Sequence, residues 1–156
     1  MRKPYQILVF PFKKEEKEYK FAIFYREDLK VWQGIAGGVE ENETPIEAAK
    51  REAYEEAGID IKSKYIELEA NTTMPVLNVV KDFIWGKDVL LIKEYSFGVE
   101  INKNTIIKLS KEHLKYEWVT FDEAYKKLKW DSNKTAIWEL NQRIKRRKLE
   151  DGRNSI

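Results

Sequence analysis

The chain has no cysteine, one histidine and two methionines among its 156 residues. Without cysteine it can form no disulfide, no thiolate metal site and no cysteine nucleophile, an inventory compatible with a reducing cytosol. The lone histidine, His113, rules out a histidine cluster and is by itself weak ground for a catalytic role; a packing or hydrogen-bonding duty is the plainer reading. Long apolar runs are missing too. Residues 1–6 lead into only a few apolar positions before Lys13, Lys14, Glu15 and Glu16, too short a stretch for a signal peptide or a membrane span, so a cytoplasmic location is expected. Neither sign of charge dominates: 29 basic residues face 27 acidic ones, which leaves no general footprint for nucleic acid or membrane. Repeats, low-complexity tracts and linkers are lacking, and residues 1–156 read as one domain, long enough to bury a core.

What is present is a concentrated acidic helix. Glu52, Glu55 and Glu56 stand three and four positions apart and so project from one face of a helical turn. Like charges that close repel unless solvent or cations screen them, and a hard divalent cation with oxygen ligands is the natural partner, magnesium best of all. The helix is clearly punctuated: Thr44 as N-cap, Pro45 as first residue, Glu47 as capping-box partner and Gly58 as stop. Ile46, Ala49, Ala53 and Ala57 repeat at helical spacing and form a small-residue stripe that lets the helix lie close to a sheet, with Glu52 and Glu56 at its border. Arg51, four residues before Glu55 and four after Glu47, is within ion-pair reach of both and is placed to orient the acids.

Around this helix, residues 6–12 and 19–25 read as strands joined by a charged hairpin turn. Residues 31–39, interrupted by Gly34, Gly37 and Gly38, read as a strand that bends into a loop. Further strands are expected at 65–70, 89–99 and 116–119, with a poorly patterned stretch at 72–87 that is either a lid or a long connection. Helices are expected at 121–128 and from 132 to about 146, the latter capped by Asp131 or Ser132. Strands mixed with helices on either side make an α/β/α sandwich with a mixed sheet the expected fold. The basic run Lys145, Arg146, Arg147 and Lys148 falls at the end of the last helix, where the helix dipole favours cations, and it is given no function.

The spacing Gly-x5-Glu-x7-Arg-Glu-U-x-Glu-Glu-x-Gly-U, running from Gly37 through Glu43 to Ile59 with Ala53 and Ile59 in the U places, resembles the Nudix box with every defined position filled. The resemblance implies a Nudix-type sandwich that hydrolyses a nucleoside diphosphate linked to a further group, with magnesium, or manganese in its place. Carried over by position, it implies Glu52 and Glu56 as metal ligands, Glu55 as ligand or general base, and Gly37 as a ligand through its carbonyl.

Arg26-Glu27-Asp28 with Trp32-Gln33, the segment from Glu112 to Trp118, and Trp130-Asp131-Ser132-Asn133 further resemble the dihydroneopterin triphosphate diphosphatase branch. That branch implies Glu112 as an added ligand. Arg26 and Lys3 could clamp phosphates or be plain strand-edge charges, Trp32 could stack on a ring, and Asn133 could read a ring edge or serve as a cap. The expected activity is a magnesium-dependent diphosphatase that converts a nucleoside or pterin triphosphate to monophosphate and pyrophosphate. ADP-ribose hydrolysis, whose branch Pro75 past the box resembles, or dinucleoside polyphosphate hydrolysis is the alternative; a nucleotide-sensing module that does not cleave is another. A homodimer is compatible with the sequence.

Overall fold

In a computed structural model, residues 1–110 and 115–154 are described. The first strand, β1 (Arg2–Glu15), turns back through Glu16 into β2 (Glu18–Arg26), and Phe12 pairs with Phe21 in the resulting hairpin. The glycine-rich segment forms two strands rather than one bent strand, β3 (Val31–Gln33) and β4 (Ile35–Glu40). They break at Gly34, after which β3 stays on β2 while β4 crosses to β1, with Ile7 opposite Gly37 and Gln6 opposite Gly38. Helix α1 (Pro45–Ala57) follows, then β5 (Lys64–Pro75), β6 (Leu91–Glu100), β7 (Lys115–Val119), α2 (Phe121–Lys127) and α3 (Asp131–Asn154).

Among the described residues the strands form one seven-stranded sheet in the order β3-β2-β1-β6-β5, with β4 added to β1 and β7 to β2. All pairings are antiparallel except β1 with β6, so the sheet is mixed. Its side chains alternate between two apolar layers, as the two-residue period of a strand requires. Ile7, Val9, Phe97 and Val99 face α1, where Ala48, Ala49, Ala53 and Ala57 are fully buried and allow close approach. Leu8, Phe10, Phe12, Phe21 and Ile23 face the other way, onto Ala124 of α2 and Ala136, Ile137, Leu140 and Ile144 of α3. This is the expected α/β/α sandwich.

Several local expectations are corrected. Residues 72–75 are not loop but the end of β5, an edge strand whose side chains are mostly exposed and so carry little hydrophobic pattern. The short 3-10 turn Val76–Asn78 and further turns complete the connection to β6. Asp131 and Ser132 lie inside the first turn of α3, since the Lys134 N–H already bonds the Trp130 carbonyl. The same helix runs on to Asn154, so the basic run lies within it and not at its end; Arg147 there pairs with Glu100.

Candidate active site

The cap signals act as the sequence implies. The Thr44 hydroxyl accepts from the Glu47 N–H while the Glu47 carboxylate accepts from the Thr44 N–H, and Gly58 takes the left-handed conformation, φ 69°, that stops α1. With both ends fixed, Arg51, Glu52, Glu55 and Glu56 are presented beside the end of β4. Arg51 braces this corner. Its Nε and Nη2 donate to the two oxygens of Glu43 at 2.6 and 2.9 Å, Nη2 also to the Gly38 carbonyl at 2.9 Å, and Nη1 to Glu52 at 2.8 Å and Glu55 at 3.3 Å. The fork of five donors allows one guanidinium to do all of this, which a lysine could not. Glu47, expected as a partner of Arg51, is engaged by the capping box instead. Lys3 adds a further tie, donating to the Glu43 carbonyl at 2.8 Å.

The three acids sit in different environments. Glu55 is half exposed, whereas the side chain of Glu52 is only 13% exposed and lies against Gly37 so closely that a Cβ on that residue would be 2.5 Å from Glu52 Oε1. Glycine is required here by close approach, not by backbone angle. Burial pushes the Glu52 carboxyl up, opposed by its bond from Arg51, while the Arg51 hydrogen bond holds Glu43 below the usual carboxylate range. Glu56 is buried at 6% exposure and accepts from the Ser110 hydroxyl at 2.6 Å; the Ser110 N–H bonds the Glu56 carbonyl. The chain from Ser110 continues to Glu112, which lies outside the described residues.

Among the described residues no three acidic or imidazole side chains converge as a finished metal cage. Glu52 leans on Arg51 and Glu56 on Ser110. The donor set is nevertheless suited to magnesium: hard carboxylate oxygens at helical spacing, with the Gly37 backbone brought against one of them.

The remaining expected residues are placed elsewhere. Arg26, at the end of β2, is forked onto Asp28. Trp32 packs beside Tyr25 with ring centres 5.2 Å apart, and the ammonium groups of Lys115 and Lys127 lie over it. Asn133 is 2% exposed; its carbonyl oxygen accepts from the Gly34 N–H at 2.8 Å and its amide donates to the Ser132 hydroxyl, so it pins the β3–β4 break to α3 and presents no open edge. Arg2 escaped the sequence reading. Its guanidinium lies over Gly38 and donates to Gln6, within the electrostatic reach of Glu52, and only its position in the strand that borders Gly37 and Gly38 could have pointed to it.

A carboxylate helix set against a glycine corner of a mixed-sheet sandwich is the arrangement that the box resemblance implies for a hydrolase of phosphoric anhydride bonds. Comparison with known proteins gives the family. The model of the NUDIX domain matches residues 8–138. The dihydroneopterin triphosphate diphosphatase of Escherichia coli is 30% identical over 145 residues, 87% of this chain and 91% of that protein. The solved structure of the E. coli dihydroneopterin triphosphate pyrophosphohydrolase aligns with a TM-score of 0.71 at 27% identity, covering 90% of this chain and 97% of that one. A Listeria monocytogenes protein described as a NUDIX hydrolase aligns with a TM-score of 0.83 at 37% identity over 93% of this chain and 97% of its own. An asymmetrical bis(5'-nucleosyl)-tetraphosphatase from Sus scrofa is 31% identical over 111 residues, 71% of this chain and 70% of that protein. The chain belongs to the Nudix family.

Proposed function

We propose that this protein is a magnesium-dependent diphosphatase that cleaves a nucleoside triphosphate or a similar triphosphate, such as dihydroneopterin triphosphate, to the monophosphate and pyrophosphate. The observation that carries the reading is the corner where Arg51 braces Glu43, Glu52 and Glu55 while Gly37 lies against the Glu52 carboxylate. The name of the E. coli relative supports the choice of substrate class.

In this reading Glu52, Glu55, Glu56 and the Gly37 carbonyl hold the cation, with Glu112 as a further ligand. Bound there, a divalent cation supplies charge neutralisation on the phosphate oxygens and a lowered pKa for the attacking water. The chain supplies position. Arg51 holds Glu52 and Glu55 apart from one another's repulsion, and Ser110 fixes one oxygen of Glu56. Glu55, the most exposed of the three, is the carboxylate best able to take the water's proton as the new oxygen–phosphorus bond forms and the bridging oxygen departs with pyrophosphate. Lys3, tied to the Glu43 carbonyl beside the box, is a charge for the phosphate chain.

The test is to incubate the purified protein and magnesium with a panel of triphosphates, ADP-ribose and dinucleoside polyphosphates, then identify the products. Pyrophosphate with a monophosphate is expected. The second reading, dinucleoside polyphosphate hydrolysis, is favoured by the Sus scrofa relative and would yield two nucleotides without pyrophosphate. Tight binding of intact ligand with no turnover would make the protein a sensor.

A further inference from the structure

On the face of the sheet opposite α1 there is a half-enclosed polar cavity of about 170 Å3, walled by Thr72 of β5, Glu94 and Ser96 of β6, and Asp131, Ser132 and Thr135 of α3. Its volume is several times the roughly 30 Å3 share of one water, the scale of a planar bicyclic ring. Glu94 is its buried charge, 4% exposed. A carboxylate withdrawn from water is costly unless it has donors, and two are in place: Gln6 Nε2 donates at 3.1 Å and Ser132 donates its hydroxyl. Burial pushes the Glu94 carboxyl up, against the bonds from Gln6 and Ser132; both partners present hydrogens to it, so at the cavity wall it is placed as an acceptor. None of the carboxylate corner of α1 uses this residue.

The register of the sheet ties this cavity to that corner. Gly38 of β4, Gln6 of β1, Glu94 of β6 and Thr72 of β5 are paired in one row across the sheet. Two strand spacings, about 10 Å, separate Gly38 from Glu94. That is the distance a sugar or side chain with its first phosphates would bridge. Arg2 lies along the row, over Gly38 and bonded to Gln6, and carries positive charge between the cavity and the corner.

We propose that this cavity receives the ring of the substrate and that Glu94 selects rings presenting a ring N–H beside an exocyclic amino group, the edge shared by guanine and pterins. The inference rests on the proposed triphosphate reading and narrows its substrate class. A carboxylate accepts both hydrogens of such an edge in parallel. Adenine and cytosine offer an amino group beside a bare ring nitrogen, whose lone pair would oppose the carboxylate, and uracil offers a single N–H between two carbonyls.

The decisive pair is GTP against inosine triphosphate, which differ only by the exocyclic amino group. Wild-type kcat/KM is expected to favour GTP by about 10- to 100-fold, the factor carried by one hydrogen bond to a charged group, with the difference in KM. In Glu94→Gln the ratio should fall to within about threefold of one. Equal use of the two by the wild type, or an unchanged ratio in the variant, overturns the proposal. If no triphosphate is hydrolysed at all, it is the activity reading that fails, and calorimetric titration with GMP and inosine monophosphate decides the cavity separately: a 10- to 100-fold preference for GMP sustains the assignment, equal affinities end it.

Discussion

Gly37 and Glu52 form a contact that can be tested from either side. A Cβ at residue 37 would fall 2.5 Å from Glu52 Oε1, so Gly37→Ala must displace the carboxylate, the mobile partner. The intrusion reaches back to Glu52 Cγ at 2.6 Å, in a side chain only 13% exposed, so stability should fall by about 1–3 kcal/mol. Magnesium affinity and kcat/KM should each drop by at least about tenfold, since a ligand misplaced by an ångström costs heavily in rate. Calorimetric titration with magnesium checks the first and product assay the second; normal affinity would separate Gly37 from the metal. Glu56→Gln keeps the shape and the bond from Ser110 but removes the charge. Turnover should fall on the order of 10²- to 10³-fold, the scale for loss of one electrostatic stabiliser, while the melting temperature holds. A near-normal rate would remove Glu56 from the ligand set.

The elements differ in how plainly their sequences announce them, and the reason is physical. Helix α1 is fixed by neighbours in sequence, Thr44 with Glu47 and Gly58 after Ala57, so its ends and its acidic face are legible without tertiary information. Strand β5 is not, because as an edge strand it exposes most of its side chains and its pairing is bent by a register shift between Glu67 and Asn71. The acids of the box could be read, but Glu94 and Gln6 could not, since a polar residue inside a strand is read as outward-facing until its partner 88 positions away is known. The pairing of Glu139 with the bulge is hidden in the same way. From α3 its carboxylate accepts from the Glu69 and Ala70 N–H groups at 2.7 Å each and from Arg143, closing two donors that the shifted register leaves over. Burial pushes this carboxyl up, yet the backbone and Arg143 bonds outweigh it and the net shift is downward. A carboxylate whose folded pKa is depressed contributes stability above its unfolded value, near 4.3, and loses it as pH falls through the lower folded value. Glu139→Gln should therefore cost about 1–3 kcal/mol at pH 7 by urea unfolding, with the gap to wild type closing once the pH drops below about 4. A gap that persists in acid would mean that packing, not charge, is what the variant loses.

At the scale of the whole molecule, the sheet is held between α1 on one face and α2 with α3 on the other, and the two apolar layers require no ion to close them. The carboxylates of α1 would be expected to strain such a fold by mutual repulsion. Arg51 removes that need, bonding Glu43, Glu52 and Glu55 within the protein itself. Chelation with EDTA should thus remove only the mass-action share of magnesium binding and leave the protein folded, with a cooperative melt. Ligand binding should not behave so independently of metal, because the phosphate chain and the box acids are both negative and only a cation lets them share one corner. With magnesium and a GTP analogue carrying a methylene in place of the α,β bridging oxygen, at about 100 times its Kd, the folded state gains about 2.7 kcal/mol by mass action. For a chain of this length that is a rise of about 5–10 °C in the melting temperature. The same analogue with EDTA, or with magnesium and Glu56→Gln, should give less than about 2 °C. If the analogue stabilises the protein fully without magnesium, its phosphates are held by Arg2, Lys3 and the backbone alone, and the acidic turn of α1 is not where the triphosphate rests.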